Sequence, residues 1–238
     1  MMPWLYADYT NGEFMTVELL NIDCMEYMAA LPDKSFDLAI VDPPYGISVT
    51  KMNMGNRKTV TPDKTKNWDD CVPDERYFDE LRRVSTNQVI WGGNYFALPP
   101  TRCWLIWDKG ESMYGRDFAE GEMAWTSFDM VVRFFKKNPN QPDRFHPTQK
   151  PIQLYDWLLN HYAFKEARVL DTHLGSGSSA IAAYYFGCDF VGCELDKDYY
   201  RAAKERFDRE TRQQGLFDEP GDVYDQVHRD YDNQLKLD

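Results

Sequence analysis

The chemistry this chain can do is concentrated at two strand ends. The run Leu38-Ala39-Ile40-Val41 suits a buried strand and stops at Asp42, followed at once by Pro43, Pro44, Tyr45 and Gly46. A carboxylate and the Pro43 carbonyl thus stand side by side as acceptors, and neither prolyl nitrogen carries a competing N–H. Two adjacent acceptors match an NH2 group, which has two hydrogens to give. Tyr45 supplies a flat face for the ring that bears the amine. The pattern reads as a clamp for an exocyclic amine on a flat heterocycle.

The second stretch runs from Arg168 to Tyr200. A strand ends at Asp171, a loop carries Gly175, Ser176 and Gly177, and a small-residue helix begins at Ser178. Glycines there let a ligand approach the backbone, and the helix start offers unpaired N–H groups. Glu194 ends the next strand, where an acid can take both hydroxyls of a ribose. Strand, G-x-G, helix, strand and acid in this order point to a nucleoside-containing cofactor. Position 180 is Ala180, so the G-x-G-x-x-A variant keeps a dinucleotide open on spacing alone. No other feature resembles a hydride-transfer site.

Alternating elements must position these groups. Apolar runs at 17–22, 36–41, 88–92, 103–107, 130–135, 168–172 and 189–195 read as strands, several covered on both faces. Helical patterns at 24–31, 73–85, 151–164 and 178–187, and one beginning at Asp196, lie between them. This predicts an α/β layered sheet, mostly parallel. Three segments break the rhythm, at 46–70, 108–121 and 136–149. Long loops in a compact domain are usually functional or disordered. The expected organisation is one domain over 1–215 with those loops inserted, then an acidic tail over 216–238.

The 238 residues carry a net charge of −12, which argues against a general nucleic-acid coat. Two basic islands interrupt the acidity. Lys51, Arg57, Lys58, Lys64 and Lys66 face one acid between 51 and 67, and Arg133, Lys136, Lys137, Arg144 and Lys150 face one between 131 and 150. They suit a protein that meets a polyanion at one face, or equally two solvated loops. Five cysteines without a C-x-x-C pair predict reduced, packed thiols in a cytoplasmic protein with no metal site. No apolar run is long enough to span a membrane, so no membrane partner is expected.

Taken together, the motifs resemble those of S-adenosylmethionine-dependent DNA amino-methyltransferases. Asp42-Pro43-Pro44-Tyr45 matches that group's catalytic DPPY, and FHPTQKP at 145–151 precedes the cofactor loop DTHLGSG. With the catalytic half first and the cofactor half last, the chain resembles the beta class. The resemblance implies a three-layer, Rossmann-like mixed sheet with circularly permuted motif order. The strands ending at Asp23 and Glu194 would then be neighbours. It implies S-adenosylmethionine as cofactor, a flipped DNA base as partner and a possible homodimer.

By this resemblance Asp42, Pro43, Pro44 and Tyr45 form the catalytic group, and Tyr45 stacks on the base through its face. Thr148, Lys150 and Pro151 line the cofactor's methionine end. Gly175, Ser176, Gly177 and Ser178 lie beneath it. Asp171 faces its amino group, Glu194 its ribose, and Asp23 with Cys24 its adenine. Thr172 and His173 stand where the family commonly has proline and phenylalanine, with His173 either packing flat in the phenylalanine's place or weakening the cofactor contact, and Ile22 stands where it often has glycine. The task of His146 is unclear from sequence. Lys51, Arg57, Lys58, Lys136 and Lys137 are the expected DNA contacts. An aspartate opening the motif goes more often with adenine. The 4-amino group of cytosine, and a catalytically inactive cofactor- or DNA-binding module, stay open as alternatives.

Overall fold

The computed structural model describes residues 4–10, 13–47, 71–116, 119–140, 144–146 and 148–212, with side chains from residue 15 onward. The expected contacts Lys51, Arg57 and Lys58, nearly all of the 46–70 loop and the acidic tail lie outside the described residues. Among the described residues nine strands form one sheet: β1 (Trp4–Thr10), β2 (Glu13–Leu20), β3 (Phe36–Val41), β4 (Ser85–Trp91), β5 (Leu105–Asp108), β6 (Gly121–Thr126), β7 (Arg133–Lys136), β8 (Arg168–Asp171) and β9 (Asp189–Cys193). Their order across the sheet is β1-β2-β9-β8-β3-β4-β6-β5-β7. From β2 to β4 all neighbours are parallel. The strand leading to Asp23 lies beside the one leading to Glu194, with Val17 opposite Phe190, as the permuted order requires.

Five helices cover the sheet: α1 (Cys24–Ala29), α2 (Glu75–Val84), α3 (Ile152–Tyr162), α4 (Ser178–Phe186) and α5 (Lys197–Arg212). Successive core-strand residues belong to opposite packing layers, because side chains alternate along a strand. Leu38, Ile40, Val89, Val169 and Phe190 join Leu154, Leu158, Ile181 and Phe207 of α3, α4 and α5. Ala39, Val41, Ile90, Leu170 and Val191 join Met28, Tyr77, Phe78 and Leu81 of α1 and α2. The result is three layers. Asp74 caps α2 by accepting from Tyr77 N, and α4 ends at Gly187, whose φ of +81° suits glycine.

Two strands depart from the sequence reading. β1 pairs antiparallel with β2, with Thr10 opposite Glu13. The intervening Asn11-Gly12 is a known hairpin signal that the apolar-run search passed over. β6 lies antiparallel between β4 and β5. Its sequence, Gly-Glu-Met-Ala-Trp-Thr, lacks an apolar run, and only Ala124, Trp125 and Thr126 are buried. The strand expected at 130–135 is shorter, running from Arg133, and Met130, Val131 and Val132 are exposed.

Candidate functional site

Parallel β2, β9, β8 and β3 all end on one side of the sheet, which gathers Asp23, Glu194, the 172–177 loop and Asp42 around one crevice. Open α/β sheets bind ligands in this place. The cavity there measures about 810 Å³, and its wall includes Asp23, Cys24, Asp42, Pro44, Thr148, Lys150, His173, Gly175, Ser176 and Glu194. That volume falls in the range of small-molecule sites. Residues placed far apart in the sequence therefore share one chamber.

On the β9 side, Glu194 Oε2 accepts from Gly175 N at 2.9 Å and Oε1 from Asp196 N at 2.8 Å. Each oxygen retains a lone pair for a further hydroxyl. Burial pushes the Glu194 carboxyl up to about 7, against the pull of those two N–H groups. Asp23 is the N-cap of α1, its Oδ1 accepting from Met25 N at 2.7 Å. Burial lifts the neighbouring Cys24 thiol to about 12, so it stays protonated.

The 172–178 loop is fixed from below. Asp171 does not reach the cavity. It is buried, with Oδ2 accepting from Ser179 Oγ at 2.6 Å and Oδ1 from His173 N at 3.0 Å. Asp171, expected to face the cofactor, is therefore not on the cavity wall, and its oxygens brace the loop from behind. Burial raises its carboxyl to about 6. Gly177 and Ser178 also lie behind the wall. Gly177 has φ +75° and abuts Ala203, while Ser178 Oγ donates to Lys150 O at 2.8 Å and accepts from Arg206. Pro151 is likewise off the wall, at the N-cap of α3.

His173 does border the cavity, its ring edge-on to Tyr77 at 5.5 Å and its Nδ1 2.8 Å from Thr172 Oγ1. Burial lowers the imidazole to about 4, so it is neutral near pH 7 and packs as an aromatic ring. His146, without a role in the sequence reading, lies 3.2 Å from Thr148 Oγ1 through Nδ1 and packs edge-on to Tyr199 at 4.4 Å. A Cβ at Gly175 would come within 3.5 Å of its ring, so His146 helps define the loop's outer side.

Asp42, read from the sequence as part of an amine clamp, already has partners. Asp42 Oδ1 accepts from Tyr45 Oη at 2.5 Å, and Oδ2 accepts from Lys150 Nζ at 2.5 Å. Lys150, expected to line the cofactor's methionine end, does border the cavity, and its ammonium is bound to Asp42. Tyr45 does not border the cavity. Its ring stacks on Tyr95, with centroids 5.0 Å apart and planes 12° off parallel, and meets Phe96 edge-on. Gly92, at φ +68°, makes room for it, since a Cβ there would fall 2.1 Å from the ring.

Lys150 also pairs with Glu122 at 3.0 Å, and Glu122 with Lys109 at 2.8 Å. Burial works upward on Glu122, but the ammonium groups of Lys150 and Lys109 outweigh it and bring the carboxyl to about 2. Burial likewise lifts the Asp42 carboxyl against the pull of Lys150. Glu122, Lys109 and Tyr95 were missed in the sequence because they belong to no motif. Glu122 lies within β6, Lys109 just after β5, and Tyr95 in the short 3-10 turn that follows β4.

The N6/N4 DNA methylase family model matches residues 99–205, which hold the HPTQKP element and the cofactor loop but not Asp42–Tyr45. The putative methylase YubD of Escherichia coli K12 is 27% identical over 205 residues, covering 77% of this chain and 87% of that protein. Type II methyltransferase M1.MboII of Moraxella bovis is 21% identical, covering 77% and 93%. These comparisons support a DNA amino-methyltransferase. In fold, the M1.HpyAVI–SAM complex superposes with a TM-score of 0.53 at 19% identity, covering 80% of this chain and 99% of that one. The sheet is the mixed, Rossmann-like sheet of such methyltransferases. Among the described residues no His, Cys, Asp and Glu cluster suits a metal ion, and no helix is long and apolar enough to cross a membrane.

Proposed function

We propose that this protein transfers a methyl group from S-adenosylmethionine to the exocyclic amino group of adenine in DNA. One observation carries the reading: Asp42 of the amine clamp borders the same cavity as Asp23, Gly175 and Glu194. A cofactor seated on those residues lies beside the group that holds the amine. The cavity fits a nucleoside cofactor by volume, by the bare backbone at Gly175, and by a strand-end carboxylate with free lone pairs. The M1.HpyAVI structure, a SAM complex, adds support from a protein of the same fold.

When bound, S-adenosylmethionine supplies an electrophilic methyl group on a sulfonium. The chain's own residues do the rest. Glu194 takes the ribose hydroxyls, and Asp23 and His173 wall the chamber. Asp42 and the Pro43 carbonyl accept the two amine hydrogens, which favours the tetrahedral nitrogen whose lone pair is released from the ring. Their negative potential also stabilises charge developing on that nitrogen. Holding nucleophile and methyl group in line supplies much of the acceleration. The base must leave the helix stack to reach Asp42.

Adenine is the proposed target because the strand-end acid is aspartate. The test is to incubate the protein with S-adenosylmethionine and DNA of mixed sequence, digest to nucleosides and weigh the product. N6-methyl-deoxyadenosine is expected. A methylated cytosine would move the target to the 4-amino group, and cofactor binding without any modified nucleoside would overturn methyl transfer.

A further inference from the structure

Four charges of alternating sign run beside the clamp: Lys109, Glu122, Lys150 and Asp42. The contacts are 2.8 Å from Lys109 Nζ to Glu122 Oε1, 3.0 Å from Glu122 Oε2 to Lys150 Nζ, and 2.5 Å from Lys150 Nζ to Asp42 Oδ2. Their side chains are 12%, 22%, 2% and 15% exposed, so Lys150 is buried and the other three are half-buried around it. Four separate places contribute: the residue after β5, the second residue of β6, the segment before α3 and the end of β3. The two cations balance the two anions.

Lys150 stands between two carboxylates. Its ammonium lies 5.5 Å from the Trp91 ring centre and 5.8 Å from that of Tyr45, a setting with few other places for a charge to go. Both oxygens of Asp42 are engaged, one by Lys150 and one by the Tyr45 hydroxyl. An arriving NH2 group competes with Lys150 and Tyr45 for this one carboxylate. The two carboxylates differ in how they hold the ammonium. The bond to Asp42 is aligned, whereas Glu122 Oε2 meets Lys150 as an ion pair without hydrogen-bond alignment. Glu122 therefore has unused capacity for this ammonium.

We infer that Glu122 is a positioning residue for methyl transfer, the second seat that receives the Lys150 ammonium when the target amine takes its place on Asp42. This rests on the reading of Asp42 as the amine acceptor. The physical case is one of exchange. A buried ammonium that leaves its only carboxylate is left unpaired, and breaking a buried pair in that way is strongly disfavoured. Shifting toward a second carboxylate already in contact avoids the loss. Lys109 keeps Glu122 ionised and ready. Burial works downward on Lys150, yet Asp42 and Glu122 hold its ammonium above the ordinary lysine range, so it shifts as a cation.

The test is Glu122→Gln in the full chain, which keeps the shape and removes the charge. Labelled S-adenosylmethionine and DNA give kcat and KM, and titration gives the cofactor dissociation constant. The expected result is a kcat about tenfold lower, with KM for DNA and cofactor affinity within about threefold of wild type. DNA affinity comes mostly from phosphate contacts far from the clamp. Glu122→Asp, which retains the carboxylate, is expected to keep kcat within about threefold. In a Lys150→Met background, Glu122→Gln should cause no further loss, since its effect runs through Lys150. Wild-type kcat in Glu122→Gln overturns the inference, as does an equal loss in Glu122→Asp or an undiminished loss beside Lys150→Met. A wild-type protein that binds cofactor and methylates no DNA removes the parent reading, and this inference with it.

Discussion

Tyr45 combines two roles that its sequence motif does not separate. Its ring leans on Tyr95 over Gly92, and its hydroxyl donates to Asp42 at 2.5 Å. A tyrosine whose face alone mattered would lose little as phenylalanine. Here the hydroxyl binds a charged acceptor, a contact whose removal costs about 1.5–3 kcal/mol. Tyr45→Phe is therefore expected to lower kcat roughly tenfold, by loosening the orientation of Asp42. A rate within twofold of wild type in a steady-state assay would show that the ring alone is used. Asp42→Ala should remove transfer altogether while leaving cofactor affinity within a few-fold, because the proposed mechanism puts the amine on Asp42 and the cofactor on Glu194. Calorimetric titration beside the activity assay separates the two, and normal turnover in Asp42→Ala would sink the assignment.

The parallel core was legible because its strands are short apolar runs ending in acids, each followed by a helical pattern. Asp23, Glu194 and Asp42 could be placed at strand ends from that alone, and β2 beside β9 brings the first two together. Polar partners were harder to see. Asp171 is still within β8, opposite Gly192 and so two residues short of the level of Glu194, and from there its oxygens meet Ser179 and His173 N. Glu122 rides on β6, an antiparallel strand whose sequence has no apolar run and which the sheet closes around it. The strand-end setting of Glu194 has a pH consequence. Burial holds its carboxyl near 7, against an ordinary value of 4.5, so near neutrality part of the free protein carries it protonated. Ribose hydroxyls need an acceptor, which the ionised form supplies. Cofactor affinity should tighten as pH rises through about 7, and Glu194→Gln should weaken binding and flatten that dependence. Titrations at pH 6 and pH 8 check this, and equal slopes in both proteins would move the proton-linked step elsewhere.

On the proposed function, an acidic molecule has to confine its positive potential to the region that meets DNA. With a net charge of −12, most of the surface repels a phosphate backbone. Among the described residues, Lys136 and Lys137 are exposed at the end of β7, the outermost strand of the sheet. Lys136 approaches Glu111 at 3.7 Å, a pairing weak enough to exchange for phosphate. The Lys137 backbone is fixed, its N donating to Asp108 O and its carbonyl accepting from Trp107 Nε1. This places two cations on an anchored strand end, near the chain that leads to His146 and Lys150. Each phosphate contact contributes about 0.9 to the slope of log affinity against log salt. Changing both lysines to glutamine should therefore reduce that slope by up to about 1.8, weaken binding similarly across DNA sequences and leave cofactor affinity unchanged. Fluorescence anisotropy over a salt series measures it. A slope equal to wild type would mean that Lys136 and Lys137 only solvate the strand end, and that the DNA passes over the island of Lys51, Arg57 and Lys58.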